Sequence, residues 1–326
     1  MVGRIRRAWK DKNALFYLVL LPLSWIFTVI AALRRQAYKI GVLPSYALPV
    51  PVIVVGNINM GGSGKTPVVL WLVEQLKSNG YTPGVISRGY GGANNMQPAS
   101  VDQDSLASQV GDEPLLIARR TGCPVWIGRK RVDVGRALLK ANPTCDVIVS
   151  DDGLQHYWLK RDVEIAVVDS ESTGEHYLLP AGPLREPQSR LQTVDFIICN
   201  GEKTVAQAFS MQLCGQTFYN LVNPQQIVAV DYFFEQSVKA LAGIGKPERF
   251  FNSLTNLGLD FDGVAFDDHH AFTAEELEHI ACDALVMTEK DAVKCQIFAQ
   301  EHHWVLPVEA KIESAFLPQL LAKLKK

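Results

Sequence analysis

From Val50 onward the chain alternates short apolar runs with longer stretches of helical periodicity, and that alternation predicts its architecture. Val50–Val55, Pro83–Ser87, Pro124–Ile127, Val147–Ser150, Glu164–Asp169 and Asp195–Cys199 read as strands, and Val68–Lys77, Glu113–Arg120 and Val132–Lys140 as helices between them. Short strands that are apolar on both sides and separated by helices imply a parallel sheet covered on both faces. Two stretches break the rhythm. Gly89–Ser108 is polar and contains glycine, which predicts a mobile loop. Leu179–Gln192 carries Pro180, Pro183 and Pro187, which predicts an ordered loop at the C-terminal edge of the sheet.

A second alternation begins near Ile227. Ala240–Gly245, Gly263–Phe266, Ala284–Thr288 and Trp304–Val308 read as strands, Pro247–Leu257 and Ala274–Ala281 as helices. Thr273 and Glu276 have the spacing of a reciprocal cap for the second helix. Ser314–Lys326 reads as an amphipathic helix. The expected fold is α/β and P-loop NTPase-like, with a mostly parallel sheet covered by helices over 41–225 and a smaller α/β lobe over 226–310. Residues 311–326 can pack back on the first lobe, and 1–40 form an N-terminal apolar, membrane-associated helix.

That helix stands apart from the rest. Asn13–Leu33 carries no charge, and about 20 apolar residues match the thickness of a bilayer's hydrocarbon core. Its length, and the lack of a small-residue cleavage site, distinguish it from a secretion signal. Arg4, Arg6, Arg7, Lys10 and Lys12 precede it and Arg34, Arg35 and Lys39 follow it, so charge asymmetry selects no orientation. Trp9, Tyr17, Trp25 and Tyr38 supply interfacial anchors, and Pro22 can bend the helix. Three arrangements fit: a single span, a helix lying in one leaflet, and a helix packed on the globular body.

Candidate chemistry begins at NINMGGSGKT, residues 57–66, between a predicted strand and a predicted helix. That is the context of a phosphate-binding loop, in which small residues let backbone N–H groups converge on phosphate oxygens at a helix N-terminus. Asn59, Met60, Gly61, Gly62, Ser63 and Gly64 would form the cradle for ATP. Lys65 would reach the β/γ-phosphates, and the Thr66 hydroxyl would ligate Mg2+. Asn59 stands where the strict pattern has its first glycine. The run CDVIVSDD places Asp151 and Asp152 at a strand tip, the arrangement that meets a metal opposite such a loop. Adjacent carboxylates repel unless a cation lies between them.

Asp112, in VGDEP, reads either as a helix cap or as a base for an attacking hydroxyl. His269 and His270, in DDHHAF, read as site residues or as loop surface. Arg88 and Tyr90 in SRGYGG, and Arg185 and Glu186 in LLPAGPLREP, lie in loops suited to contacting phosphate, because guanidinium gives bidentate geometry that an amine lacks.

Composition narrows the partners. The 326 residues are 48% hydrophobic and carry a formal net charge of −2. This composition excludes global disorder and argues against nucleic-acid binding. Six scattered cysteines without a C-x-x-C pair read as reduced thiols. No protein partner is specified.

Taken together, the apolar N-terminal helix and the motifs VVGNINMGGSGKTP, SRGYGG, VGDEP, DDGLQH, LLPAGPLREP, DDHHAF and TEKDAVK resemble the tetraacyldisaccharide 4'-kinases of lipid A biosynthesis across nearly the whole chain. The resemblance implies transfer of the ATP γ-phosphoryl to the 4'-hydroxyl of a tetraacylated glucosamine disaccharide 1-phosphate, at the cytosolic face of the inner membrane. It further implies that Ser63, Lys65 and Thr66 hold triphosphate and Mg2+, with Asp151 and Asp152 on the metal side. Asp112 would be the base, oriented by His269 with His270 as the alternative, and His156 would be a supporting residue. Arg88, Tyr90, Arg185 and Glu186 would line the phosphate and sugar sites, with Arg129 or Arg131 as a further contact. The family tolerates Asn59 at the first-glycine position. The competing reading is a membrane-associated P-loop ATPase switch of the partitioning or cell-division type, whose loop normally carries an early lysine where this chain has Met60.

Overall fold

A computed structural model describes residues 14–93, 96–170 and 177–325, with side chains from residue 19 onward. Arg4, Arg6, Arg7, Trp9, Lys10, Lys12 and the Tyr17 side chain lie outside that description. Two compact units emerge, each assembled from separated segments. The first comprises 1–86, 131–212 and 312–326, the second 87–130 and 213–311. The division differs from the continuous 41–225 lobe expected from sequence, because 87–130 packs with the C-terminal half of the chain.

In the first unit six parallel strands run in the order Phe209–Cys214, Phe196–Asn200, Val163–Asp169, Val52–Gly56, Val147–Ser150 and Pro83–Ser87. They belong to a large, mostly parallel sheet. Every residue of Val52–Gly56, Pro83–Ser87 and Val147–Ser150 is buried, as strands covered on both faces must be. Val52–Gly56 lies between strands that come much later in the chain, so its carboxyl end is a topological switch point, where open α/β sheets leave a crevice for ligands. The helix Lys65–Ser78 starts there and buries Val68, Val69, Leu72, Val73 and Leu76. The last helix, Phe316–Leu324, belongs to this unit, with the Phe316 ring fully buried among Trp71, Phe196 and Phe209.

The N-terminal helix Ala14–Lys39 meets the first unit along one seam. Ser24 is buried, and its hydroxyl donates to the Leu178 carbonyl at 2.7 Å. Phe27 packs against Ile58, Leu178 and Leu184, and the Tyr38 ring stacks on Tyr157. The remaining circumference exposes Val19, Leu23, Trp25, Ile26, Val29, Ile30 and Leu33.

The second unit has a six-stranded sheet in the order Ile227–Val228, Phe218–Asn220, His303–Leu306, Ala284–Thr288, Val238–Ala242 and Asp262–Ala265, of which the last four are parallel. Alternation sorts its side chains: Ala240, Val286, Trp304 and Leu306 face one core, Leu241, Leu285, Met287 and Val305 the other. Two expectations need correction. Within Gly89–Ser108 the strand Ala99–Val101 pairs antiparallel with Val125–Ile127, and Val101 is buried. The helix expected over Ala274–Ala281 ends at Glu278, and Ile280 and Cys282 beyond it turn into the core beside Leu241, Leu285 and Val305. The capping box of Thr273 and Glu276 is formed. The helix Glu289–Cys295 and the strands Phe209–Cys214, Phe218–Asn220, Ile227–Val228 and Glu309–Ile312 had no counterpart in the sequence pattern.

Candidate active site

In the first unit the loop after Val52–Gly56 is held from outside by the proline-rich segment. Met60 N–H donates to the Pro183 carbonyl at 2.8 Å, Arg185 N–H to the Ile58 carbonyl at 2.6 Å, and Asn59 bridges Leu184. Asn59 is not among the residues with positive φ, so the missing first glycine imposes no strain here. Gly64 is different. Its φ is 92°, and a Cβ there would come within 2.9 Å of Met211 Cε and 3.1 Å of Asn200 Nδ2. Asn200, at the tip of its strand, steadies the loop by donating to the Ser63 carbonyl at 3.3 Å. The Ser63 hydroxyl is buried and has no hydrogen-bond partner among the described residues, as a group awaiting a ligand oxygen would be.

Lys65 opens the helix and lies 3.5 Å from Asp152, which accepts from Arg185 at 2.9 Å. Asp152 adopts φ 45°, a left-handed conformation uncommon for a residue with a side chain. Burial works to raise its pKa, but Lys65, Arg185 and Arg131 hold it well below the usual carboxylate range. Asp151 is buried beside it, and Arg131, itself buried, donates to the Asp151 carbonyl at 3.1 Å. Two cations and a strand-tip carboxylate beside a glycine-rich helix N-terminus can grip a polyphosphate.

The second unit carries a carboxylate–imidazole pair. Asp112 is the first residue of the helix Asp112–Thr121, buried, with Oδ1 accepting the Glu113 N–H at 3.0 Å. It thus serves the helix terminus in part, while Gly111 occupies the cap position. His269 Nδ1 is 3.0 Å from Asp112 Oδ2, and His269 has φ 63°. Non-glycine residues in that conformation concentrate at functional sites because the surroundings must enforce it. Burial tends to raise the Asp112 pKa, but the hydrogen bond from His269 and the charge of Lys290 more than offset it, leaving the carboxyl below its usual range. Tyr90 lies with its ring centroid 5.1 Å from that of His269. Gly111, φ 91°, lets the two motif loops meet, since a Cβ there would sit 2.5 Å from the Tyr90 carbonyl.

The family model for tetraacyldisaccharide-1-P 4'-kinase (LpxK) matches residues 16–325. The chain belongs to the tetraacyldisaccharide 4'-kinase family. It is 48% identical to the tetraacyldisaccharide 4'-kinase of Methylobacillus flagellatus over 321 residues, covering 98% of this chain and 95% of that protein. It is 49% identical to the enzyme of that name from an Azoarcus species over 315 residues, covering 94% and 92%. The crystal structure of LpxK from Aquifex aeolicus in complex with ATP superposes with a TM-score of 0.79 at 28% identity, covering 94% of this chain and 99% of that one. Membership in the kinase family sets aside the ATPase-switch reading.

Within this kinase the motif residues fall into two groups. Asn59, Met60, Gly61, Gly62, Ser63, Gly64, Lys65, Thr66, Asp151, Asp152, Arg185 and Glu186 lie in the first unit, while Arg88, Tyr90, Asp112, His269 and His270 lie in the second. Lys65, Asp152 and Arg185 come together, as do Asp112, His269 and Tyr90. Glu186 is buried and bound by Tyr157 at 2.8 Å and Arg190 at 3.0 Å, and its buried Oε1 has no partner among the described residues. His270 turns away from Asp112 and pairs with Glu276 at 3.1 Å, between Phe266 and Phe272. Of the two arginines in IGRKR, Arg131 contacts Asp151, and Arg129 is exposed near Met96. His156 offers its backbone carbonyl to Arg161. Among the described residues no group of three or more His, Cys, Asp and Glu side chains could hold a metal alone. Sequence reasoning missed Asn200, Lys290 and Asp268. Thr288 and Asp291, spaced as a helix cap, were the available signal for the helix that carries Lys290.

Proposed function

We propose that this chain catalyses transfer of the γ-phosphoryl of ATP to the 4'-hydroxyl of a tetraacylated glucosamine disaccharide 1-phosphate, completing the charged headgroup of a lipid A precursor. The observation that carries this reading is the cluster of Lys65, Asp152 and Arg185 beside the partnerless Ser63 hydroxyl, at the switch point of the sheet. Lys65 and the loop amides would hold the β- and γ-phosphates. Arg185 would meet phosphoryl oxygens when Asp152, which now engages both cations, shares them with the ligand.

Thr66, Asp151 and Asp152 supply the oxygen donors that a hard divalent cation such as Mg2+ prefers, completed by phosphates rather than by an all-protein cage. Bound there, Mg2+ would neutralise charge on the transferring phosphoryl group. Asp112 would accept the proton of the 4'-hydroxyl as its oxygen bonds to the γ-phosphorus and the bridging bond to ADP breaks. His269 would hold the carboxylate in orientation. Phosphoryl transfer has a loose transition state, so positioning and charge outweigh proton removal. Arg88, Tyr90 and Glu186 would contact the phosphate and sugar of the substrates. The apolar outer face of Ala14–Lys39 would seat the enzyme in the cytosolic leaflet of the inner membrane, where its acylated substrate resides.

The decisive experiment incubates the purified full-length chain with ATP, Mg2+ and acylated glucosamine disaccharide 1-phosphate in detergent. Stoichiometric appearance of a bis-phosphorylated lipid and ADP supports the proposal. ATP hydrolysis that ignores the lipid sinks it.

A further inference from the structure

Asp112 and His269 have a third partner that the motifs left without a role. Lys290 follows the capping Thr288 by two residues, in the helix Glu289–Cys295 that packs on Asp112–Thr121. Its ammonium group, largely buried, donates to Glu113 Oε1 at 3.0 Å and lies 3.7 Å from both Asp112 Oδ2 and Asp268 Oδ1. His269 Nε2 lies 3.8 Å from the same Asp268 oxygen while its Nδ1 faces Asp112, so the imidazole and the ammonium each touch both carboxylates.

We propose that Lys290 is a positioning residue for the phosphoryl transfer, a fixed cation that keeps the Asp112 carboxylate ionised and aligned against its imidazole partner. The inference rests on the reading of Asp112 as the base. A buried carboxylate beside Glu113 and Asp268 would otherwise tend to take up a proton. The charged groups around Asp112 are Glu113 on its own helix, Asp268 and His269 on the loop after Asp262–Ala265, and Lys290 and Lys294 on Glu289–Cys295. Of the two lysines Lys290 is the one within ion-pair distance of Asp112, and Lys294 is bound instead to Asp291 at 2.7 Å. The strands Ala99–Val101 and Val125–Ile127 and the helix Ala107–Val110 add no titratable side chain. The burial of Lys290 works against its charge, but Glu113, Asp112 and Asp268 more than offset it and raise its pKa above the ordinary amine range, so the cation persists at any working pH.

The test compares kcat/KM against pH for wild type, Lys290→Gln, Lys290→Arg and Asp112→Asn, with ATP affinity and thermal melting measured in parallel. In Lys290→Gln the acid limb moves to higher pH, so kcat/KM falls about tenfold more at the acid end than at the alkaline end. ATP affinity stays within about twofold and Lys290→Arg restores the limb. A Lys290→Gln profile parallel to wild type, lowered equally at every pH, overturns the inference. Should Lys290→Gln fail to fold, Lys290→Met, which keeps the apolar stem and removes only the charge, is held to the same two outcomes. Asp112→Asn separates the two ideas. If it retains the acid limb, the base is elsewhere and the reading of Asp112 fails. If it abolishes the limb while Lys290→Gln leaves the limb unmoved, only the role of Lys290 fails.

Discussion

At the scale of single residues, the chemistry expected of phosphoryl transfer ranks the site's members. Lys65 meets charge that is present on the phosphates throughout the reaction, whereas Asp112 assists a proton whose removal is late in a loose transition state. Lys65→Ala is therefore expected to lower kcat by at least about 1,000-fold and Asp112→Ala by about 100-fold. Steady-state kinetics on folded variants in one detergent system check this, and the reverse order would remove the electrostatic account. Much at this scale was legible beforehand. Gly-Lys-Thr after a strand and the paired aspartates needed only local rules, and Lys65 and Asp152 lie 3.5 Å apart. The choice between His269 and His270 was not legible, because adjacent histidines share one composition signal. Backbone direction separates them: φ 63° at His269 aims that ring at Asp112, and His270 is claimed by Glu276.

At the scale of elements, the strands with apolar residues on both sides were readable because a buried parallel strand has no polar face. The edge strands were not, and neither was Glu289–Cys295, in which Lys290 interrupts the apolar pattern for ion pairs with Asp112, Glu113 and Asp268, far away in sequence, and Asp291 and Lys294 interrupt it to pair with each other. The strand His303–Leu306 adds a pH liability that no pattern announces. His303 is fully buried, its Nδ1 accepts the Gln300 N–H at 3.2 Å, and its Nε2 has no partner among the described residues. Burial, with the neighbouring His302, depresses its pKa to about 4. The folded value lies below the unfolded one, so the stability is complete above about pH 6.5 and is lost as pH falls toward 4, by roughly 3 kcal/mol. His303→Asn, whose carbonyl can still accept from Gln300, should flatten that part of the profile despite lower stability at pH 7.5. Urea midpoints at pH 7.5, 5.5 and 4.5 decide it, and equal slopes in both proteins would refute the assignment. In the first unit, Phe316→Ala removes a ring packed among three aromatic side chains and should cost about 3–5 kcal/mol in urea unfolding.

For the whole molecule, the chain order hides the units: residues 87–130, which follow the strands Val52–Gly56 and Pro83–Ser87, belong to the second unit and the first resumes at Arg131, a change that hydropathy alternation passes over because helices and strands continue through it. The N-terminal helix, by contrast, was conspicuous, and its seam supports a proposal among the three arrangements the sequence left open. Contacts to the first unit recur from Ser24 to Tyr38, about 21 Å of helix. The helical residues before Ser24, from Ala14, span about 15 Å, short of the roughly 30 Å of a hydrocarbon core. A helix tied to a globular unit over that length is therefore expected to lie along the membrane surface with its outer face immersed. Ile26 and Val29 are more than half exposed on that face. Ile26→Glu/Val29→Glu should therefore lower partition onto phosphatidylethanolamine–phosphatidylglycerol vesicles by at least about tenfold, leaving turnover of detergent-dispersed substrate within about twofold. Alkaline carbonate should strip the wild-type chain from inner-membrane vesicles, because an in-plane helix lacks the core-crossing segment that resists extraction. Retention in the pellet, with the N-terminus protected from protease on the far side, would mean that the seam opens and the helix spans.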